Sequence, residues 1–135
     1  YQLLTNGDEV TQRQAADAWN RWETDISQLI PDENPMPKSD SGIAIARIEC
    51  HYFTHACFFP SESYLLEKAS KLAKIPVEII QGRYDMVCPP ETAFDLHNAL
   101  PNSTLSMIPN AGHSSSEPGI RSEMAKALNR IASTL

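Results

Sequence analysis

Gly82-Arg83-Tyr84-Asp85-Met86-Val87-Cys88-Pro89 is the stretch on which the reading of this chain turns. Its counterpart is Ala111-Gly112-His113-Ser114, with His113 lying 28 residues after Asp85. A short β-branched run, residues 77–81, precedes the first, and a second run of strand length, residues 104–108, precedes the other. Between them residues 90–100 carry Phe94, Leu96, His97 and Leu100 about a turn apart, a helical pattern. The order is therefore strand, Asp loop, helix, strand, His loop. A strand–helix–strand crossover makes the strands parallel with a right-handed connection. Both loops then leave the carboxyl edge of one sheet, where open α/β sheets place their sites. An aspartate and a histidine so placed suit the orienting acid and general base of a nucleophilic triad. The carboxylate holds the imidazole tautomer, and the imidazole takes the nucleophile's proton. Taken alone, Asp85 would equally suit capping of the turn ahead of Pro89 and Pro90.

Composition narrows the classes. The chain has 135 residues, enough for a real core, with no run of membrane-spanning length and no internal repeat. A net charge of −6 argues against a nucleic-acid footprint and favours, mildly, cationic ligands. Cys50, Cys57 and Cys88 are too few and too scattered for a disulfide framework, which points to a reducing compartment. No secretory apolar region stands at the N-terminus. The chain opens on Tyr1 and a polar turn, Thr5-Asn6-Gly7-Asp8, as though cut from something longer.

Residues 10–29 read as an amphipathic helix with Ala15, Trp19, Trp22, Ile26, Leu29 and Ile30 on one stripe. Either a capping box from Thr11 to Gln14 or an Asp8 cap would begin it. Glu23 falls inside the stripe, so its carboxylate must be paired, hydrated or functional. Trp19 and Trp22 read as core residues. The proline-rich residues 31–42 read as a loop. Residues 43–59 read as a second helix, apolar on almost every side and therefore buried. Glu49 on it projects about 160° from Arg47 and cannot pair with it within the helix. Residues 61–74 read as a third, amphipathic helix. Pro118 suits a first helical position, and Ile120, Met124, Ala127, Leu128 and Ile131 give the last helix an apolar face. The sum is an α/β chain, three helices and then β-α-β-α. Two strands do not make an independent sheet covered on both faces, so strands before Tyr1 or a second chain are expected to complete it.

Five stretches now stand in collinear order: Ala18-Trp19-Asn20-Arg21-Trp22-Glu23, Ile45-Ala46-Arg47-Ile48-Glu49-Cys50-His51-Tyr52-Phe53, Gln81 with the Gly82–Pro89 stretch, Ala93-Phe94-Asp95-Leu96-His97, and Ala111 through Pro118. Together they resemble the proline iminopeptidase (prolyl aminopeptidase) family, serine peptidases of the α/β-hydrolase fold. The resemblance covers nearly the whole chain and corresponds to the family's C-terminal half. It implies a helical cap segment over 1–74 and the last β-α-β-α of a parallel sheet over 75–135. It implies Asp85 and His113 as acid and base of the triad, and Glu23 and Glu49 as ligands of the free α-amino group of an N-terminal proline. Two carboxylates on apolar helices are costly without a cation, and a prolyl ammonium supplies one. The implied partner is a peptide with N-terminal proline, with no nucleic acid, membrane, metal or other cofactor. The implied reaction is serine attack, a prolyl-enzyme and hydrolysis.

The chain departs from that family in one large respect. Glycines at 7, 42, 82, 112 and 119 cannot form the Gly-x-Ser-x-Gly nucleophile elbow, and Ser114, Ser115 and Ser116 follow His113 too closely to replace it. The chain is therefore expected to be inactive without a missing N-terminal half, or to self-associate. Gln81 stands where the family commonly has histidine, and sequence alone attaches no consequence to it. Another α/β hydrolase, an esterase or epoxide hydrolase, is one alternative; Glu23 and Glu49 argue against it, since neutral substrates need no such carboxylates. A non-catalytic interaction module that lost its nucleophile is another. Cys50, His51, His55 and Cys57 have zinc-ligand chemistry, but helical geometry sets the cysteines opposite the histidines.

Overall fold

The structure, a computed structural model, describes residues 1–30 and 41–133. The expected proline-rich loop lies outside them except for residues 41 and 42, which open a helix instead. The chain divides into two compact units, Tyr1–Asp25 with Pro31–Glu62, and Ile26–Ile30 with Ser63–Leu135.

The first unit contains α1 (Gln2–Thr5), α2 (Glu9–Ser27, ending in the second unit) and α3 (Ser41–Thr54). Asp8 starts α2: the Thr11 amide donates to Asp8 Oδ1 at 2.7 Å, and this bond holds the Asp8 carboxyl below its usual range. Leu4 of α1, Ala16 of α2, and Ala46 and Cys50 of α3 form a buried cluster, flanked by Ala15, Trp19 and Ile43. Alanine at the contact lets the helix backbones approach closely.

Two expectations fail in α3. The helix stops at Thr54 rather than running to 59; there Thr54 Oγ1 turns back to the Cys50 and His51 carbonyls at 2.8 and 3.1 Å. Beyond it, Ala56, Cys57 and Phe58 adopt left-handed φ of 49°, 53° and 61° in a tight turn. Left-handed backbone costs about 1–2 kcal/mol per non-glycine residue; the Phe58 ring, stacked on His55 at 5.2 Å, helps to offset this. Nor is the helix buried all round. It packs through its Ala46–Cys50 side, and Ile45, Ile48, Tyr52 and Phe53 on its other sides are exposed.

The second unit carries α4 (Tyr64–Glu67), β1 (Val77–Gly82), α5 (Pro90–Ala99), β2 (Ser103–Ile108) and α6 (Pro118–Ala132). The strands are parallel, in register from Val77 opposite Ser103 to Gly82 opposite Ile108. Both α5 and α6 lie against the two strands and begin with proline, as its fixed φ favours. Their buried contacts are Ala93, Ile120 and Ala127; Met124 and Leu128 are exposed, so the apolar face of α6 is narrower than its sequence suggests. Arg130 ties α6 to β1 through two bonds to Glu78, at 3.0 and 2.8 Å. The expected helix over 61–74 is instead α4 followed by a 3₁₀ turn at Ala69–Leu72. Of this stretch only Ala69 is buried, and a short helix with so little to bury does not propagate.

Candidate active site

The two loops at the carboxyl edge of β1 and β2 touch backbone to backbone. The Arg83 and Tyr84 amides donate to the Ile108 and Ala111 carbonyls at 2.9 and 3.0 Å. This brings together the two residues expected of the site: His113 Nδ1 lies 3.1 Å from Asp85 Oδ2. Asp85 is buried, whereas the His113 side chain remains 39% exposed and open to a reactant. The two Asp85 oxygens face different partners. Oδ1 accepts the Val87 and Cys88 amides at 2.9 and 2.8 Å, capping the turn. Oδ2 faces His113 and also accepts from Gln81 Nε2 at 3.1 Å. An ionised carboxylate only accepts, so His113 Nδ1 is the donor and the neutral ring carries its lone pair on Nε2. That is the tautomer a general base needs.

Ser27 and Glu117 hold the His loop from behind. The His113 and Ser114 amides both donate to the Ser27 carbonyl, at 2.9 and 2.7 Å. Glu117 Oε1 accepts the Gly112 and Leu29 amides at 2.7 and 3.0 Å. Neither Glu117 nor Gln81 is marked as functional by sequence reasoning. A polar side chain directly after the apolar pair Ile79-Ile80 in the strand is the signal that could have pointed to Gln81. Ser114 and Ser116 pair through their hydroxyls at 2.7 Å. Burial, with the Asp85 charge, pushes the Cys88 thiol up, away from a reactive thiolate.

Glu23 and Glu49 belong to the other unit and are half-buried on α2 and α3. Glu49 Oε2 accepts the Trp19 indole N–H at 2.7 Å. Burial pushes the Cys50 thiol up, and the Glu49 and Glu23 charges add to this. Arg47 turns elsewhere, to the Leu4 carbonyl at 2.7 Å and to Gln12 Oε1. Trp19 also walls an apolar cavity of about 460 Å³ with Leu4, Ala15, Trp22 and Cys50. The His51 and His55 rings lie 4.4 Å apart, but among the described residues no group of three or more His, Cys, Asp or Glu side chains could hold a metal ion. Among those residues no helix is long and apolar enough to cross a membrane.

A parallel strand pair joined through a helix, with further helices ahead of it, is part of an α/β-hydrolase fold. The chain belongs to the TAP-like protein family, whose model matches residues 40–130. It is 44% identical over 121 residues to a proline iminopeptidase of Xylella fastidiosa, covering 87% of this chain and 39% of that protein. A proline iminopeptidase of Xanthomonas citri is 41% identical over 135 residues, with 98% and 43% covered. One of Arabidopsis thaliana is 40% identical over 134 residues, with 97% and 35% covered. The chain thus spans about two fifths of the length of these relatives.

Proposed function

We propose that this chain carries the acid–base pair and the amine-binding carboxylates of a prolyl aminopeptidase, which releases N-terminal proline from peptides by serine-type acyl transfer. The observation that carries the proposal is the 3.1 Å contact of Asp85 with His113 between two loops at one sheet edge. The relatives' name, proline iminopeptidase, supports the substrate class. The attacking serine is supplied from outside these 135 residues, which contain no Gly-x-Ser-x-Gly.

In the proposed reaction His113 Nε2 takes the serine proton as the hydroxyl oxygen attacks the prolyl carbonyl. Asp85 stabilises the imidazolium through Nδ1. His113 then returns the proton to the departing amine, leaving a prolyl-enzyme ester. Water attacks that ester with His113 again as base, releasing proline and the serine hydroxyl. Glu49, oriented by Trp19, and Glu23 bind the prolyl ammonium with charge-assisted hydrogen bonds. Three unpaired cysteines support a reducing, cytoplasmic setting.

Hydrolysis of a prolyl arylamide by the 135-residue chain and by the full-length protein tests the proposal. Turnover is expected from the full-length protein alone, and its loss is expected on His113→Ala. Turnover by the 135 residues themselves would place the nucleophile within them. A full-length protein that cleaves a neutral ester but no prolyl arylamide would make it an esterase-type hydrolase instead.

A further inference from the structure

We infer that Gln81 is a positioning residue that fixes the plane of the Asp85 carboxylate toward His113; this rests on the proposed roles of Asp85 and His113. Gln81 is buried near the end of β1. Its Nε2 lies 3.1 Å from Asp85 Oδ2, 3.0 Å from the Cys88 carbonyl and 3.3 Å from the Gly82 carbonyl. All three partners are oxygens that accept, so only the nitrogen end of the amide can face them. Its two protons go to the two nearer ones, with Gly82 a longer shared contact.

The consequence is geometric. The Val87 and Cys88 amides grip Oδ1 and leave the carboxylate a pivot. Gln81 grips Oδ2 from the strand side and removes that freedom, so Oδ2 stays where the His113 ring meets it. The second proton ties the strand end to the far end of the Asp loop at Cys88, clamping the loop across its mouth. An amide does this without a charge of its own, so it adds no competitor to the Asp–His pair.

The test uses the full-length protein. Gln81→Leu keeps an apolar body of similar volume and deletes the donor. For a prolyl arylamide kcat is expected to fall about 10- to 100-fold, with KM changed less than about twofold. The downfield His113 Nδ1 proton signal in NMR is expected to broaden or vanish. Unchanged kcat with an unchanged signal overturns the inference, as does a rise in KM at constant kcat. In the unsubstituted protein the Gln81 side-chain amide protons are expected to exchange slowly with solvent and to shift on Asp85→Asn. Fast exchange or an absent shift overturns the inference even where Gln81→Leu does not fold. If the unsubstituted protein cleaves no prolyl substrate, the proposed function fails, and the amide exchange and Nδ1 signal still decide the role of Gln81.

Discussion

Gly82 and Gly112 meet with no room for a side chain between them: a Cβ on Gly82 would stand 1.9 Å from the Gly112 carbonyl oxygen and 2.7 Å from that of Ala111. The obstacle is backbone on both counts, so nothing flexible can move aside. Gly82→Ala is expected to force the Asp and His loops apart and to destabilise by about 1–3 kcal/mol or more, the range for overpacking. At Gly112 the nearest atoms lie 3.0 to 3.2 Å from the added carbon, so Gly112→Ala should cost clearly less. Urea unfolding of the two variants measures the difference. Equal midpoints would mean that the loops adapt and that their close approach does not fix the site.

Glu117 offers a sharper comparison because one oxygen, Oε1, accepts both the Gly112 and the Leu29 amides. Glu117→Gln retains a carbonyl oxygen able to accept both. Glu117→Ala removes the acceptor and leaves the amide of buried Gly112 unsatisfied, at about 1–3 kcal/mol. Unfolding is therefore expected to separate the two, with Gln close to the unsubstituted protein. Equal loss for both would mean that the charge, and not the acceptor, matters.

The parts of this structure that are legible in sequence are those whose signals are local. Val77–Gly82 and Ser103–Ile108 declare themselves by β-branched and apolar runs, and the helix between them by its period and its opening prolines. From these the parallel pairing follows, and with it the meeting of Asp85 and His113. Burial in α3 is not legible in this way. Its apolar residues read as a buried helix, yet whether Ile45 or Phe53 is covered depends on what packs there, not on α3 itself. The left-handed turn at Ala56–Phe58 is illegible for another reason: no glycine or asparagine marks it. Gln81 and Glu117 reach partners close in the chain, Asp85 and Gly112, but such side-chain bonds follow the path of an irregular loop and no periodic pattern announces them; the Glu117 bond to the Leu29 amide is set by the tertiary fold alone.

Acid should loosen α6 from β1. Arg130 hydrogen bonds hold the Glu78 and Glu123 carboxyls below their usual range and hold the guanidinium firmly charged. Carboxyls with lowered folded-state pKa contribute stability that is fully present above the ordinary glutamate value of about 4.3. That stability is lost as pH falls through the lower folded values. Arg130→Leu is thus expected to lower the thermal midpoint at pH 7, with the gap from the unsubstituted protein closing below about pH 4. The Arg130 end of these pairs is 43% exposed, so high salt should shrink the gap at pH 7 as well. A gap independent of both pH and salt would assign the effect to lost side-chain contact rather than charge.

Trp19 and Glu49 allow the amine-binding proposal to be tested from two sides. Trp19→Phe keeps an aromatic wall on the apolar cavity and removes the indole N–H that holds Glu49 Oε2 at 2.7 Å. Glu49→Gln keeps the shape and removes the charge. If Glu49 binds the prolyl ammonium, Glu49→Gln in the full-length protein should raise KM for a prolyl arylamide by about tenfold or more, since hydrogen bonds to charged groups are worth more than neutral ones. Trp19→Phe should raise it less, because the carboxylate remains and only its orientation loosens. A neutral ester, which has no ammonium to bind, should respond weakly to either change. The contrast between the two substrates therefore carries the argument, since a general loss of folding would depress both alike. Equal losses on arylamide and ester would remove Glu49 from the amine site and leave its bond to Trp19 as a structural contact of the α2–α3 pair.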